Sequence, residues 1–302
     1  LVDGSGNVRD ISRGQKEEIL PGETMDALNM VLGKEGITGI ITRITLKVIP
    51  KPEAIWGIVF FFEEKEGAAG FVDMLRSELP EAEDAKIAAV EYMDRRSMDL
   101  IEARKETMTK IKELPDIEEN LQGSEEGIEI IAESLMEAAM ECGSDPDQAW
   151  ALSGETEVEK LHAFRHAAAE TANLYIEEQR RNDDRITKLG TDMVIGEQTF
   201  KDLLEQYEED MNQAGLEGCI FGHALENHLH VNILPEDYEA YEKGIELIRN
   251  WAERTRALHG VLSGEHGVGK LKRQILGACV PEDYQELCRK LKAHLDIEGR
   301  LN

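Results

Sequence analysis

The chain has few cysteines and no long apolar run, and each shortage excludes a class of protein. Its 302 residues include four cysteines, and no two of them form a CxxC pair. This spacing cannot gather four thiolates around an iron–sulfur cluster, so reduced, mostly buried thiols in a reducing compartment are expected. No apolar run approaches the about 20 residues that a membrane helix needs. The sequence therefore predicts a cytoplasmic protein without direct membrane insertion.

Basic residues are also scarce, and this shortage bears on binding partners. The chain has 34 Lys and Arg against 62 Asp and Glu, a formal net charge of -28. Such a charge repels phosphate backbones and anionic lipid, which excludes nucleic acid as a partner. No GxxxxGK[ST] sequence occurs, and the glycines have the wrong spacing for GxGxxG, so a phosphate-binding loop is not expected. A small anionic substrate would need its own local basic pocket.

Hydrophobic periodicity predicts a mixture of strands and helices. Ile40, Ile44, Leu46 and Val48 alternate with polar residues and predict a strong strand, which two prolines after residue 49 would end. Farther on, apolar runs alternate with amphipathic stretches, which indicates a sheet covered by helices. The acidic stretch 112–127 is poorly periodic and is expected to be a loop or an exposed edge strand.

Two short segments carry the chemistry, and the first is GHALENHLH at 222–230. In the predicted strand that begins at His228, strict alternation places His228, His230 and Asn232 on one face. A lone histidine on a strand is usually structural. Two histidines on one face, with His223 just upstream, favour a metal site or a catalytic site.

The second segment, SGEHGVG at 263–269, surrounds Glu265 and His266 with three glycines. Glycine allows positive φ angles and close backbone approach, so this loop can aim both side chains at one point. A plain turn between two helices is the alternative, although such a turn needs only one or two glycines.

Basic side chains in so acidic a chain are candidates for substrate binding. Arg165 lies on the apolar side of a long predicted helix, where its planar guanidinium could clamp a carboxylate in bidentate fashion. An ion pair within the protein is the alternative. Lys188 and Lys272 could act as point charges, although solvation at the surface is the default for both.

Three separated segments resemble one protein family. GKEGITGIIT at 33–42 is similar to its GxEGTLGIIT segment, GHALENHLHVN at 222–232 to its GHxGDGNLHxN segment, and SGEHGVGKLK at 263–272 to its SGEHGIGxxK segment. The family is that of the FAD-linked 2-hydroxyacid dehydrogenases and oxidases of the vanillyl-alcohol-oxidase type. D-lactate dehydrogenases, D-2-hydroxyglutarate dehydrogenases and the glycolate oxidase flavoprotein subunit form the most similar group.

This resemblance implies a site and an activity. His223, His230 and Glu265 would bind a divalent metal, zinc or manganese, and His266 would accept the proton of the substrate hydroxyl. Arg165, with Lys188 as a second candidate, would hold the substrate carboxylate. The residues implied to contact FAD are Gly36, Gly39, Ile41 and Asn232. The complete protein would oxidise a D-2-hydroxy acid such as lactate or glycolate to the 2-oxo acid, and an electron-accepting subunit is an implied partner.

The chain departs from the family pattern in three places. The GDGN of the family is replaced by Leu225–His228, so that His228 could replace a ligand, face the flavin or form a hydrogen bond outside the metal shell. The order Gly-Ile-Thr-Gly replaces Gly-Thr-Leu-Gly at 36–39. The glycine-rich loop that binds the FAD pyrophosphate is absent. We therefore expect a fragment or a split protein that holds FAD weakly or not at all by itself, and is inactive alone.

The resemblance also implies the fold class and the domains. An α+β fold is expected, with an antiparallel sheet, helices mainly on one face, and the ferredoxin-like arrangement of a cap domain. Residues 1–53 would be the end of an FAD-binding domain, and 54–302 the cap domain, whose segment 263–302 returns toward the flavin. Two rival functions remain, a metal-dependent hydrolase that uses the same histidine and glutamate residues, and a non-catalytic subunit of a flavoprotein complex.

Overall fold

The computed structural model describes residues 1–80, 82–108, 120–123 and 125–301, and divides the chain into two compact units. The first unit comprises Leu1–Pro50 and Glu265–Asn302, and the second comprises Lys51–Gly264. The predicted division at residue 53 and the assignment of 1–53 to a flavin-binding domain stay predictions. In the described part of the chain, no helix combines the length and apolar character needed to cross a bilayer.

The described strands and helices follow one another along both units. The strands are β1 (Lys16–Leu20), β2 (Glu23–Asp26), β3 (Ala54–Val59), β4 (Ala85–Ala89), β5 (Glu91–Met93), β6 (Asn120–Gly123), β7 (Trp150–Ser153), β8 (Leu189–Gly190), β9 (Met193–Val194), β10 (Gly218–His223) and β11 (His228–Ile233). The helices are α1 (Lys65–Ser77), α2 (Arg95–Glu102), α3 (Glu125–Glu141), α4 (Glu155–Asn182), α5 (Phe200–Ala214), α6 (Tyr238–Ala257), α7 (Gly269–Leu276) and α8 (Glu282–Leu295).

The first unit has a small core between its two chain segments. Strands β1 and β2 pair antiparallel. Ile19 of β1 packs with Met30 and with Leu291 and Leu295 of α8, and all four side chains are buried. Burying apolar area in this way stabilises the unit by roughly 25 cal/mol per Å². This core therefore holds residues 16–30 against the last helix of the chain.

The predicted strand at 40–48 is wrong. Ile40 forms one isolated bridge with Val2, and the described backbone from residue 41 to 53 belongs to no strand. Ile44, Leu46 and Val48 are 65%, 75% and 82% exposed. Alternation describes which faces a strand would have, but a strand also needs a neighbour for its backbone N–H and C=O groups. No described strand of this chain supplies that neighbour.

The described residues of the second unit form two sheets, and every pairing within these sheets is antiparallel. One sheet has the order β4-β6-β3-β7, and the other has the order β5-β10-β11-β8, with β9 also paired to β11. The expected α+β class with antiparallel sheets is confirmed. The segment 222–230 lies in the second of these sheets, which we call the histidine sheet.

The acidic stretch 112–127 was expected to be a loop or an edge strand, and its central part is neither. Residues 112–119 and 124 lie outside the described residues, but 120–123 form β6, which pairs with β4 on one side and β3 on the other. An inner strand of four residues is too short to show a clear period, which is why the sequence pattern missed it.

Helix α4 covers one face of the histidine sheet. Its buried positions Phe164, Ala168 and Ala172 recur at helical spacing and pack in one apolar cluster with Cys219 and Phe221 of β10. On the opposite face, the Tyr92 ring of β5 meets the Phe200 ring of α5 edge to face, with centroids 5.2 Å apart. The histidine sheet is thus packed on both faces. Polar residues of α4 next to Phe164 lie over the face that carries the histidines.

Candidate metal and substrate site

The register of the hairpin β10–β11 gathers three histidines. His223 is paired with His228, and Phe221 is paired with His230. Directly opposite residues of an antiparallel pair point to the same face, so all three imidazoles share the face that α4 covers. Their ring centroids lie 5.3 Å (His223–His228), 4.9 Å (His228–His230) and 6.4 Å (His223–His230) apart. The predicted alternation at 228–232 agrees with this arrangement.

Each imidazole has one ring nitrogen beside an oxygen. Nδ1 of His223 lies 2.7 Å from Oε1 of Glu91, and Nε2 of His228 lies 2.8 Å from Oδ1 of Asp192. Nδ1 of His230 donates to the Thr191 carbonyl at 3.3 Å. A histidine that directs one ring nitrogen at an oxygen in this way can present its other nitrogen to a ligand, as metal-binding histidines do.

A group of side chains that could hold a metal ion lies within the second unit. Asp192, His228 and His230 each offer one ligand atom, and these atoms lie within 4.8 Å of one another. Asp192 and His228 are buried, with 1% and 8% of their side chains exposed. Nitrogen and carboxylate ligands in this number suit a divalent transition metal.

Arg165 reaches the histidine face from α4. Its Nη2 lies 2.9 Å from Oε1 of Glu91, and 3.4 Å and 3.3 Å from Nδ1 and Nε2 of His223. Glu91 is buried, whereas about a third of the Arg165 side chain is exposed. The guanidinium is thus anchored on one side by the carboxylate, and it keeps an accessible side that can receive an anion.

Lys188 and Asn232 lie at the other end of the histidine face. Asn232 is paired with Gly190, and a Cβ atom at Gly190 would lie 2.8 Å from the Asn232 Oδ1 and 3.2 Å from the Lys188 Cε. Oδ1 of Asn232 is buried and has no hydrogen-bond partner among the described residues. A buried acceptor without a donor is costly, and a bound ligand that donates a hydrogen bond would satisfy it.

The predicted residues of the first unit have different surroundings. Nε2 of His266 lies 2.8 Å from Oε1 of Glu265, and these side chains are 63% and 42% exposed. Gly36 has φ +72°. A Cβ atom at Gly39 would lie 2.7 Å from the Val2 carbonyl oxygen, so packing within the unit already explains this glycine. Ile41 is 47% exposed. The roles of these residues stay predictions.

Sequence reasoning missed Glu91 and Asp192. Glu91 faces the site because β5 pairs with β10, which sets Glu91 opposite His223. Asp192 lies between the short strands β8 and β9, both paired with β11. The local signal for Asp192 is its place in the otherwise mostly apolar stretch Thr191–Ile195, since a charged residue there needs a partner.

Asp94 links β5, α2 and β10 through hydrogen bonds. It caps α2 by accepting the Ser97 N–H at 2.7 Å, and it accepts the Ile220 N–H of β10 at 2.8 Å. Burial raises the pKa of the Asp94 carboxyl to about 6, while the hydrogen bonds from Ser97 and Ile220 partly oppose this shift. The carboxyl therefore joins the end of β5 to β10 while its charged form is disfavoured.

We expect this carboxyl to make stability depend on pH. Its folded pKa lies above the ordinary value of 3.8, so its contribution is fully present below about pH 4 and is lost as pH rises through 6. The loss is at most about 3 kcal/mol, from 1.36 kcal/mol per pKa unit. The free energy of unfolding, measured with urea from pH 4 to 7, should decline less for Asp94→Asn than for the parent. Asp99→Asn, at an exposed position of the same helix, serves as the control. An equal pH dependence of the free energy of unfolding in the parent and in Asp94→Asn would contradict a raised pKa of Asp94.

Comparison with known proteins identifies the family of the chain. Residues 52–302 match the family model described as FAD linked oxidases, C-terminal domain. D-lactate dehydrogenase [cytochrome] 1 of Saccharomyces cerevisiae is 26% identical, with 90% of this chain and 45% of the relative covered. Bos taurus D-2-hydroxyglutarate dehydrogenase is 26% identical (92% and 48% covered), and glycolate oxidase subunit GlcD of Bacillus subtilis is 24% identical (92% and 56% covered).

A solved structure shows the same fold. The chain is similar to 4-ethylphenol oxidase from Gulosibacter chungangensis, in an isoeugenol complex, with a TM-score of 0.53, 14% identity, and coverage of 85% of this chain and 54% of that one. The chain spans about half the length of the curated relatives it matches. The match over 52–302 nevertheless covers most of the chain. The chain belongs to the FAD-linked oxidases, in which it corresponds to the C-terminal domain.

Proposed function

We propose that this chain takes part in the FAD-dependent oxidation of a D-2-hydroxy acid, such as lactate or glycolate, to the 2-oxo acid. One observation carries the proposal: the partly exposed guanidinium of Arg165 lies beside His223, one of three imidazoles on a single sheet face. A 2-hydroxy acid presents a carboxylate next to a hydroxyl group. A guanidinium suits the carboxylate, and a metal held by imidazoles suits the hydroxyl.

The residues of the second unit fit a divalent metal. Of the predicted ligands, His223 and His230 each direct Nδ1 at an acceptor, which is the support that metal-binding histidines use. Glu265, which directly follows Gly264 in the sequence, is proposed as the acidic ligand. A bound divalent ion would supply a Lewis acid that lowers the pKa of the substrate hydroxyl. Zinc or manganese is the proposed metal.

The residues fit the reactive end of the flavin better than its pyrophosphate. The unpaired Oδ1 of Asn232 can accept a hydrogen bond from a ligand at the end of the histidine face. The acidic chain shows no glycine-rich phosphate loop, so we propose that it holds FAD weakly or not at all by itself. Bound FAD would supply the two-electron acceptor for the hydride that leaves C2 of the substrate.

Side chains of this chain are proposed to bind the substrate and to accept its proton. Arg165, with Lys188 as a second cation, would hold the carboxylate and so turn the C2 hydrogen of the D enantiomer toward the flavin. His266 would take the hydroxyl proton at a ring nitrogen, and the adjacent Glu265 carboxylate can orient the imidazole. The substrate thus loses one proton and one hydride and becomes the 2-oxo acid. An electron-accepting partner subunit and a cytoplasmic location complete the proposal.

The proposal is tested with the full polypeptide that the gene encodes, purified and supplied with FAD. Anaerobic addition of D-lactate, glycolate or D-2-hydroxyglutarate should bleach the flavin absorbance and yield one equivalent of 2-oxo acid. L-lactate is the matched control and should react far more slowly. Absence of bleaching with the whole panel would contradict the proposal, and hydrolysis of ester or amide substrates without FAD would favour the metal-dependent hydrolase instead.

A further inference from the structure

His228 stands where the family pattern has the asparagine of GDGN, and the structure gives this histidine unusual support. Its side chain is 8% exposed, and its Nε2 lies 2.8 Å from Oδ1 of Asp192. A buried imidazole beside a buried carboxylate is costly to desolvate, and an ordinary strand position does not require either group. The pair therefore calls for an explanation of its own.

Three contacts fix the orientation of the His228 ring. Oδ2 of Asp192 accepts the Ser263 hydroxyl at 2.6 Å, so both carboxylate oxygens already have neighbours. The Gly264 N–H donates to the Asp192 carbonyl at 2.7 Å. A Cβ atom at Gly264 would lie 2.8 Å from both Cε1 and Nε2 of His228, so the backbone closes on that edge of the ring. The ring has little freedom to turn.

The contact with Asp192 determines which ring nitrogen of His228 can face a ligand. Asp192 receives the N–H of Nε2, which leaves Nδ1 with the lone pair. A carboxylate that orients a histidine through its second nitrogen is a common arrangement behind metal ligands. Asp192 therefore acts as a positioning residue, and the imidazole of His228 is the group available to a metal.

The spacing of the rings suits a shared ion. Imidazole nitrogens lie about 2.0–2.1 Å from zinc, which places the centres of two rings on one tetrahedral ion about 5 Å apart. The centroid of His228 lies 4.9 Å from that of His230 and 5.3 Å from that of His223, whereas the centroids of His223 and His230 lie 6.4 Å apart. His228 is thus the central ring of the three.

We propose that His228 binds the metal of this site through Nδ1, as a third imidazole beside His223 and His230, with Asp192 and Ser263 holding its ring. This inference rests on the metal site of the proposed function and changes its chemistry. A third nitrogen ligand makes the site softer and favours zinc or cobalt over magnesium or calcium, and zinc over manganese.

The test measures metal binding by the whole chain and does not depend on flavin or turnover. Zinc affinity is determined by competition with a chromophoric chelator. His228→Asn should raise the dissociation constant at least about 100-fold, and Asp192→Asn should raise it about 10- to 100-fold. His259→Asn is the matched control, because His259 is exposed at φ +55°, which asparagine tolerates, and it should change the constant less than about twofold.

A second measurement uses the unmodified chain, in case a variant does not fold. In the cobalt-loaded protein, proton NMR should show three exchangeable imidazole N–H signals with paramagnetic shifts. Two signals, or parent-like zinc affinity of a folded His228→Asn, would overturn the inference and leave the proposed function intact. Asp192→Asn must lower zinc affinity without an equal loss in the apo unfolding midpoint, since a merely structural role would lower that midpoint. No zinc binding by the unmodified chain would overturn the metal site itself, whereas flavin bleaching tests the oxidase activity separately.

Discussion

Replacing His230 by alanine is expected to remove the bound metal almost completely. The metal content after dialysis should fall from about one ion per chain to less than a tenth, because the variant loses one of the proposed imidazole ligands. His230 offers a ligand atom within 4.8 Å of those of Asp192 and His228, and the Thr191 carbonyl fixes its tautomer. Substrate oxidation by the complete protein should fall at least about 1,000-fold, since several kcal/mol of charge stabilisation are lost.

Inductively coupled plasma mass spectrometry of the parent and the variant, prepared in parallel, checks this expectation. His259→Asn is the control, since it removes one imidazole outside the cluster, tolerates φ +55° and should leave the metal content unchanged. Circular dichroism of both variants shows whether the fold persists. A folded His230→Ala protein that keeps a full equivalent of metal would show that this imidazole is not a ligand, and the geometry of the histidine face would then have another purpose.

The histidine face illustrates how far the sequence alone can lead. Alternation along 228–232 depends only on the pleat of a strand, and it placed His228, His230 and Asn232 together without knowledge of the neighbouring strands. The pairing of His223 with His228 follows from a hairpin that is local in sequence. Short-range geometry of this kind is encoded in the residues themselves, so it could be predicted.

The partners of these histidines could not be predicted in the same way. Glu91 is more than 130 residues distant along the chain from His223, and it arrives because β5 pairs with β10. Asp192 arrives because β8 and β9 pair with β11. Such pairings are decided by the packing of the whole unit, and strands of two or three residues carry no periodic signal. The placement of these two carboxylates beside the imidazoles therefore could not be predicted from the sequence.

The segment 40–48 shows the opposite failure, in which a clear local pattern has no tertiary counterpart. Its apolar residues have the right period for a strand, yet Leu46 and Val48 are 75% and 82% exposed. The pattern states which side chains would share a face, but it does not say what covers that face. Burial depends on a partner surface, and the described residues of this chain do not provide one here.

Replacing Arg165 by methionine in the complete protein is expected to lower kcat/KM for the D-2-hydroxy acid about 100- to 1,000-fold, because hydrogen bonds to a charged carboxylate are lost. Methionine keeps the length and the packing on α4, and it removes the charge. Arg165→Lys should recover part of the loss, since an ammonium keeps the charge without the bidentate geometry. Steady-state kinetics with and without added guanidinium ion measures both effects.

Glu91→Gln separates substrate binding from structural support. Oε1 of Glu91 lies 2.9 Å from Nη2 of Arg165 and 2.7 Å from Nδ1 of His223, so this variant disturbs the anchor and keeps the guanidinium. If Arg165 binds the substrate, Glu91→Gln should lower kcat/KM much less than Arg165→Met, and guanidinium ion should rescue only Arg165→Met. Equal losses in the two variants, together with an equal fall in the free energy of unfolding, would mean that Arg165 serves only to neutralise Glu91. The accessible third of the Arg165 side chain favours the first result, because a purely structural ion pair beside a buried carboxylate has no need to face solvent.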